Sequence, residues 1–208
     1  MHLLLTGFEP FGALPFNPSE LLVREIGRLA PEAPITRLTA EIIPTEYDRA
    51  GRLIAERLAA LKPDILLATG VAESRPDINL ERVALNLDDA EKPDNAGSLR
   101  NGAPIASRGP LARRTDWDLA PLAQGMRAAG FAATVSNHAG AFVCNHLYYC
   151  ALGAIAQRKL ATRALFVHLP MIGERWPLER LVGAIRWLMP RLAGGPAATA
   201  PVAEVRSA

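Results

Sequence analysis

The sequence predicts an α/β fold built on a mainly parallel, mixed central sheet with helices on both faces. Apolar runs of strand length alternate along the chain with longer segments of helical period. Such alternation favours crossovers that return each strand parallel to the last. At 208 residues, 50% of them hydrophobic and 21% charged, the chain can fill a sizeable core. Residues 1–193 are expected to form a single α/β domain. The tail 194–208, opening Gly194-Gly195-Pro196 and rich in Ala, is expected to be disordered.

Leu3-Leu4-Leu5 opens the first strand. Ser19, behind Pro18, is placed to cap a helix through Leu22, Ile26 and Leu29. Ile35 to Ile43 reads as a second strand closed by Pro44. Thr45 to Leu61 has helical spacing and stops at Lys62-Pro63-Asp64, which launches the strand Ile65 to Ala68. Ile78 to Leu85 reads as one alternating strand. Residues 86–110 are rich in Asn, Asp, Gly and Pro and form a long surface excursion, a length usually reserved for functional or mobile segments. A helix near Leu119 to Ala129 follows, then the strand Phe131 to Val135, a helix from about Val143, the strand Ala164 to His168, and an amphipathic helix from Pro177 to Leu192.

Charge and composition exclude several partners. A formal charge of +2 arises from 23 basic and 21 acidic residues with no aromatic-laced basic patch, so no nucleic-acid footprint is present. No apolar run approaches the ~20 residues of a membrane span. The first residues are too short an apolar stretch for a signal peptide and are broken by Glu9 and Pro10. Two cysteines without a secretory leader fit free thiols in a reducing cytoplasm.

Ligands of such sheets sit beyond the carboxyl ends of the strands. Thr6-Gly7-Phe8, Thr69-Gly70, Asn137-His138 and His168 all end predicted strands and are candidates to meet there. Cys144 begins a helix after the small-residue turn Ala139-Gly140-Ala141. Free N–H groups and the helix dipole at that point favour a thiolate, and the same N–H groups could hold an oxyanion. The turn alone leaves Cys144 equally open to a role as a small packed hydrophobe.

A thiol nucleophile needs a base. His2 opens the first strand, at the wrong end, and His146 points away from Cys144 at ~100° per residue. His138 and His168 both stay open, and a satisfied half-buried histidine is an equally ordinary reading of the latter. Glu81 sits among apolar neighbours, where it needs a partner. Pattern alone favours an ion pair with Arg82 or another arginine. Cys144, His146 and Cys150 are read as lying on three faces of one helix, and no spacing suits a metal. No cofactor is implied. Cys150 is expected to be buried, to lack a histidine, and to alkylate far more slowly than Cys144.

Four motifs, in order, carry a resemblance. They are Leu5-Thr6-Gly7-Phe8-Glu9-Pro10-Phe11-Gly12 with Asn17-Pro18; Gly70-Val71-Ala72 with Arg75 and Glu81 to Asn86; Ser136 to Asn145 around Ala139-Gly140 and Cys144; and Phe166 to Pro170. Together they resemble the pyroglutamyl peptidase I (pyrrolidone carboxyl peptidase) family from residue 3 to about 190. The resemblance implies an α/β/α sandwich and a thiol peptidase that removes N-terminal 5-oxoproline from peptides. It implies a Cys144, His168 and Glu81 catalytic set, and a homotetramer. By the same resemblance Phe8, Phe11, Thr45, Phe142 and Val143 shape the lactam pocket. An aromatic slot suits an uncharged lactam ring.

One departure stands out. Glu91-Lys92 replaces an arginine and an isoleucine usual in the family, the arginine near the reacting centre and the isoleucine in the pocket. Ser74 also replaces the glycine usual before Arg75, and Phe142 stands where tyrosine is also common. The sequence therefore predicts a cysteine omega-peptidase acting on pyroglutamyl peptides. The alternative, resting on Glu91-Lys92, is a weak or inactive relative that binds a small cyclic amide. A nucleoside phosphorylase or hydrolase on a related fold lacks the phosphate-binding elements it would need.

Overall fold

The computed structural model describes residues 1–194. Gly194 ends the last helix, and the rest of the expected tail lies outside the described residues. The elements run β1 (His2–Phe8), α1 (Pro18–Gly27), β2 (Arg37–Ile43), α2 (Tyr47–Leu61), β3 (Ile65–Val71), β4 (Ile78–Glu81), β5 (Val83–Leu85), β6 (Ala112–Arg114), α3 (Leu119–Ala128), β7 (Ala133–Ser136), α4 (Val143–Arg158), β8 (Arg163–Leu169) and α5 (Leu178–Ala193). Six strands form a mixed sheet in the order β2-β1-β3-β8-β4-β7.

Period-2 alternation sends successive side chains to opposite faces and splits the core in two. Leu3, Leu5, Leu67, Leu165 and Val167 pack beneath helices α1, α3 and α5. Leu4, Leu66, Ala68, Ala164 and Phe166 pack beneath α2 and α4. The result is the expected three-layer α/β/α arrangement. Strands β1, β2, β3 and β8 are parallel, whereas β4 pairs antiparallel with β8 and carries β7 parallel to itself. Asn79 lies opposite His168, and Glu81 opposite Phe166.

Several expectations are corrected. Asn17, not Ser19, caps α1: its side chain accepts from the Ser19 N–H, with Pro18 in the first turn, where a missing N–H costs nothing. The Ser19 hydroxyl instead accepts from the Phe8 N–H. The segment Ile78 to Leu85 is two strands. Its apolar positions shift phase at Glu81-Arg82, from Ile78 and Leu80 to Val83 and Leu85, and the chain leaves the main sheet there to pair β5 with β6. The excursion is tied down both within itself and to α2: Asp88 bridges Ala103, and buried Asp94 accepts from the N–H groups of Ala96 and Ser98 and of Tyr47 at the start of α2.

Candidate active site

The site gathers where β8 meets β4. Because those strands are antiparallel, Glu81 and His168 are diagonal neighbours on one face, close enough for side chains to meet. His168 Nδ1 lies 2.7 Å from Glu81 Oε1, and both residues are buried. With Nδ1–H donated to the carboxylate, Nε2 keeps its lone pair. The imidazole also rests on Phe166, with ring centroids 4.9 Å apart.

Arg75 completes this pair. Its guanidinium donates to the same Glu81 oxygen at 2.5 Å, and also to Asn79 Oδ1 and Ser136 Oγ. Glu81 is thus both an ion-pair partner and a histidine partner, in the core rather than on a solvated face. Arg82 reaches outward to Asn137. Sequence reasoning gave Arg75 no role, although it belongs to the second motif. An uncompensated carboxylate at Glu81 was the available signal.

Cys144 stands at the second position of α4, whose first intrahelical bond runs from the His146 N–H to the Phe142 carbonyl. The N–H groups of Val143, Cys144 and Asn145 therefore have no partner within the helix. Asn145 is buried and locks this turn to the β5 segment: its amide accepts from the Leu85 N–H and donates to the Leu85 and Leu87 carbonyls. Across from Cys144 lies Gly70 of β3. A methyl group there would come within 2.8 Å of Sγ and 3.0 Å of the Phe166 ring. Glycine is what allows the thiol this close to the sheet.

Cys144 and His168 open into one cavity of about 100 Å³, lined also by Phe8, Phe11, Thr45 and Phe142. A benzene ring occupies a cavity of ~150 Å³, so this space is scaled to one five-membered ring. Four of the five expected pocket residues line it. Val143, the first residue of α4, does not; it is buried in the core between that helix and the sheet. Sequence reasoning missed Asn17, Val71 and the Ala139 to Ala141 turn as walls. His138 is exposed, its Nδ1 accepting from the Gly140 N–H, and takes no part in the cavity.

The expected thiolate is not the resting state. Burial pushes the Cys144 thiol up to about 12 and the Glu81 charge adds to this; its backbone N–H and Arg75 recover only part. The helix terminus is outweighed by loss of solvent.

A family model described as pyroglutamyl peptidase matches residues 1–184. The chain belongs to the pyroglutamyl peptidase family. A pyrrolidone-carboxylate peptidase of Chromobacterium violaceum is 42% identical over 173 residues, 83% of this chain and 79% of that one. The crystal structure of Bacillus amyloliquefaciens pyroglutamyl peptidase I matches with a TM-score of 0.87 and 33% identity, covering 93% of this chain and 97% of that one. The pyrrolidone carboxyl peptidase of Fervidobacterium islandicum matches with a TM-score of 0.86 at 33% identity, over 93% and 99% of the two chains.

In this chain Glu91 and Lys92 are both exposed and neither lines the cavity. Their loop does border it: the Asp89 N–H donates to the Ala141 carbonyl, and the Asn95 N–H to the Thr45 carbonyl. The carboxylate that acts on the thiol is Glu81, not Glu91. Thus the observation that motivated an inactive relative loses its force.

Proposed function

We propose that the chain is a cysteine omega-peptidase that removes pyroglutamate from the N-terminus of peptides, with Cys144 as nucleophile, His168 as base and acid, and Glu81 as the group that orients the imidazole. The observation that carries this is the shared cavity, which has a thiol and a carboxylate-bound imidazole on its wall and a volume suited to one lactam ring.

In the first step Sγ attacks the carbonyl carbon that joins the lactam ring to the next residue. The Cys144 proton passes to His168 Nε2 as the carbon–sulfur bond forms, because a thiol held at about 12 is not ionised beforehand. The free N–H groups at the start of α4 receive the oxyanion. Collapse of the tetrahedral species breaks the carbon–nitrogen bond, and the leaving amine takes the proton from His168. Water, deprotonated by the same imidazole, then releases pyroglutamate and restores the thiol. Glu81 offsets the imidazolium charge that forms twice in this cycle. Arg75 holds the Glu81 carboxylate at the required angle.

Phe8, Phe11, Thr45, Phe142 and Val143 belong to the lactam pocket on this reading, the first four through the cavity wall and Val143 through its place in the first turn of α4. Two apolar clusters on the two faces of one sheet support a single α/β domain over residues 1–193. A homotetramer and a cytoplasmic setting rest on the family resemblance. Light scattering on the purified protein tests the former. Release of aminomethylcoumarin from its pyroglutamyl amide, compared with Cys144→Ala, tests the activity. Equal turnover by the variant, or none by either protein, overturns it.

A further inference from the structure

A second thiol of this chain has its own imidazole and its own cleft. Cys150 and His146 are four residues apart on α4, so they share a helical face, contrary to the sequence expectation. His146 is 6% exposed, and its Nδ1 lies 2.8 Å from Oδ2 of buried Asp88. With Nδ1–H donated to Asp88, Nε2 faces the Cys150 sulfur and is hydrogen-bonded to it. A methyl group on Gly51 of α2 would meet both atoms, Nε2 at 2.7 Å and Sγ at 2.9 Å. Carboxylate, imidazole and thiol are therefore in the order that activates a sulfur nucleophile. Burial disfavours the imidazolium, but the bonds to Asp88 and Cys150 outweigh it and hold His146 up to about 9.

The cleft is larger than the peptidase cavity, about 380 Å³, and lies between α2 and α4. Its rim carries Arg52, Arg113 and Arg158 against one carboxylate, Asp48, which both oxygens commit to Arg100 at 2.9 Å. Among the described residues none of the three arginines is in an ion pair. Arg113 Nε is buried without any hydrogen-bond partner, its guanidinium lying over the Tyr149 ring. An open thiol beside three uncompensated guanidinium groups selects for anionic, sulfur-reactive molecules. Cys150 is partly exposed, so such a molecule can reach it.

We propose that Cys150 is a modification site for small carboxylate-bearing disulfides, with His146 and Asp88 activating the thiol and the arginine rim holding the carboxylates. The Cys150 thiolate, stabilised by the His146 imidazolium, attacks one sulfur of the bound disulfide. A Cys150–S–S–R bond forms, the ligand's own S–S bond breaks, and the departing thiolate takes a proton from His146. Cys150 is oxidised and half of the ligand is reduced, so no other co-reactant enters. None of these residues serves the proposed peptidase chemistry, so the two can fail separately.

The test uses the full chain with Cys144→Ala, which leaves Cys150 as its one cysteine. Two probes are compared: the dianionic disulfide 5,5′-dithiobis(2-nitrobenzoate) and the dicationic disulfide cystamine, each scaled to its rate with free N-acetylcysteine. The scaled rate should be at least ~10-fold higher for the dianion. Arg52→Gln with Arg158→Gln, both exposed positions, should reduce that preference several-fold while leaving the rate with neutral iodoacetamide unchanged. His146→Gln, checked for folding by circular dichroism, should slow both probes by ~10-fold or more. Equal scaled rates for the two disulfides, or a preference untouched by the arginine pair, overturn the ligand class. A Cys150 that reacts no faster than the same residue in urea overturns the site.

Discussion

Replacing Gly70 by Ala inserts a single methyl group between β3 and the Cys144 sulfur, and the structure fixes how much room it finds. The new carbon would stand 2.8 Å from Sγ and 3.0 Å from the Phe166 ring. Atoms in contact settle at ~3.5–4.0 Å, so the overlap with sulfur is about 1 Å. Phe166 is fully buried and cannot retreat. The sulfur must therefore swing by a comparable distance or leave its rotamer. A misplacement of ~1 Å at a reacting atom costs ~10²-fold in rate. Pocket walls at Phe8, Phe11 and Phe142 are untouched, so kcat should fall ~100-fold while KM changes by less than ~3-fold, the signature of an interaction lost mainly in the transition state. Overpacking of this kind costs ~1–3 kcal/mol, enough to lower Tm without unfolding the chain. Kinetics on the pyroglutamyl coumarin amide, run beside calorimetry, give all three quantities. A folded Gly70→Ala protein with kcat intact would refute the placement of Cys144 as the nucleophile held against β3.

Other outcomes follow from the same geometry. His168→Ala should lose at least ~10²-fold in kcat whereas His138→Ala stays near wild type, and the reverse ranking would return the base to the loop. Glu81→Gln should fall between them, since the amide keeps the shape but not the charge that offsets the imidazolium; turnover equal to wild type would remove Glu81 from the site. Glu91→Arg with Lys92→Ile should change kcat by less than ~5-fold, because exposed charges act with ~1 kcal/mol or less, and a larger gain would place that loop against the reacting centre. Stability should fall as pH rises from about 6.5 through about 9. His146 is held above its ordinary value when folded, so its contribution is complete below the unfolded value and disappears as the folded imidazolium titrates. Tm measured across that window should slope less steeply in His146→Gln, and an unchanged slope would count against the Asp88 pairing.

Much of this architecture was legible because apolar spacing reports burial directly. Leu3 to Leu5, Ile65 to Ala68 and Ala164 to His168 are strands because both faces of the sheet are covered, and continuous apolar runs are what that requires. Strand ends and a helix start made Cys144, His138 and His168 candidates, and only the family resemblance chose among them. What was not legible is informative. Periodicity carries no strand direction: a mixed sheet is expected, but not that β4 and β7 are the strands that run against the other four. Asn137-His138 therefore ends a strand that points away from the carboxyl edges of the others, and only the following turn reaches the cavity. The phase slip at Glu81-Arg82 is present in the sequence, but two short alternations in opposite phase resemble one longer strand. The reactivity of Cys144 escapes sequence for another reason. A helix terminus favours a thiolate, but at Cys144 burial and the Glu81 charge together outweigh it. The partner of Cys150 is set by spacing on α4 and by Asp88, 58 residues from His146 in sequence and seen only once the chain has folded.

The sheet order has a consequence for how the molecule comes into being. Strand β8, among the last elements to be synthesised, sits in the middle, paired with β3 on one side and β4 on the other. Remove it and the sheet becomes two fragments, β2-β1-β3 and β4-β7, with no ladder between them. Every hydrogen bond that joins the halves spans some ninety residues of chain, and contacts of such separation form late and slowly. A nascent chain therefore carries Cys144 and Glu81 out of the ribosome well before His168 can reach either. Folding of the centre and assembly of the proposed catalytic group are one event, and a chain stopped short of residue 168 has neither.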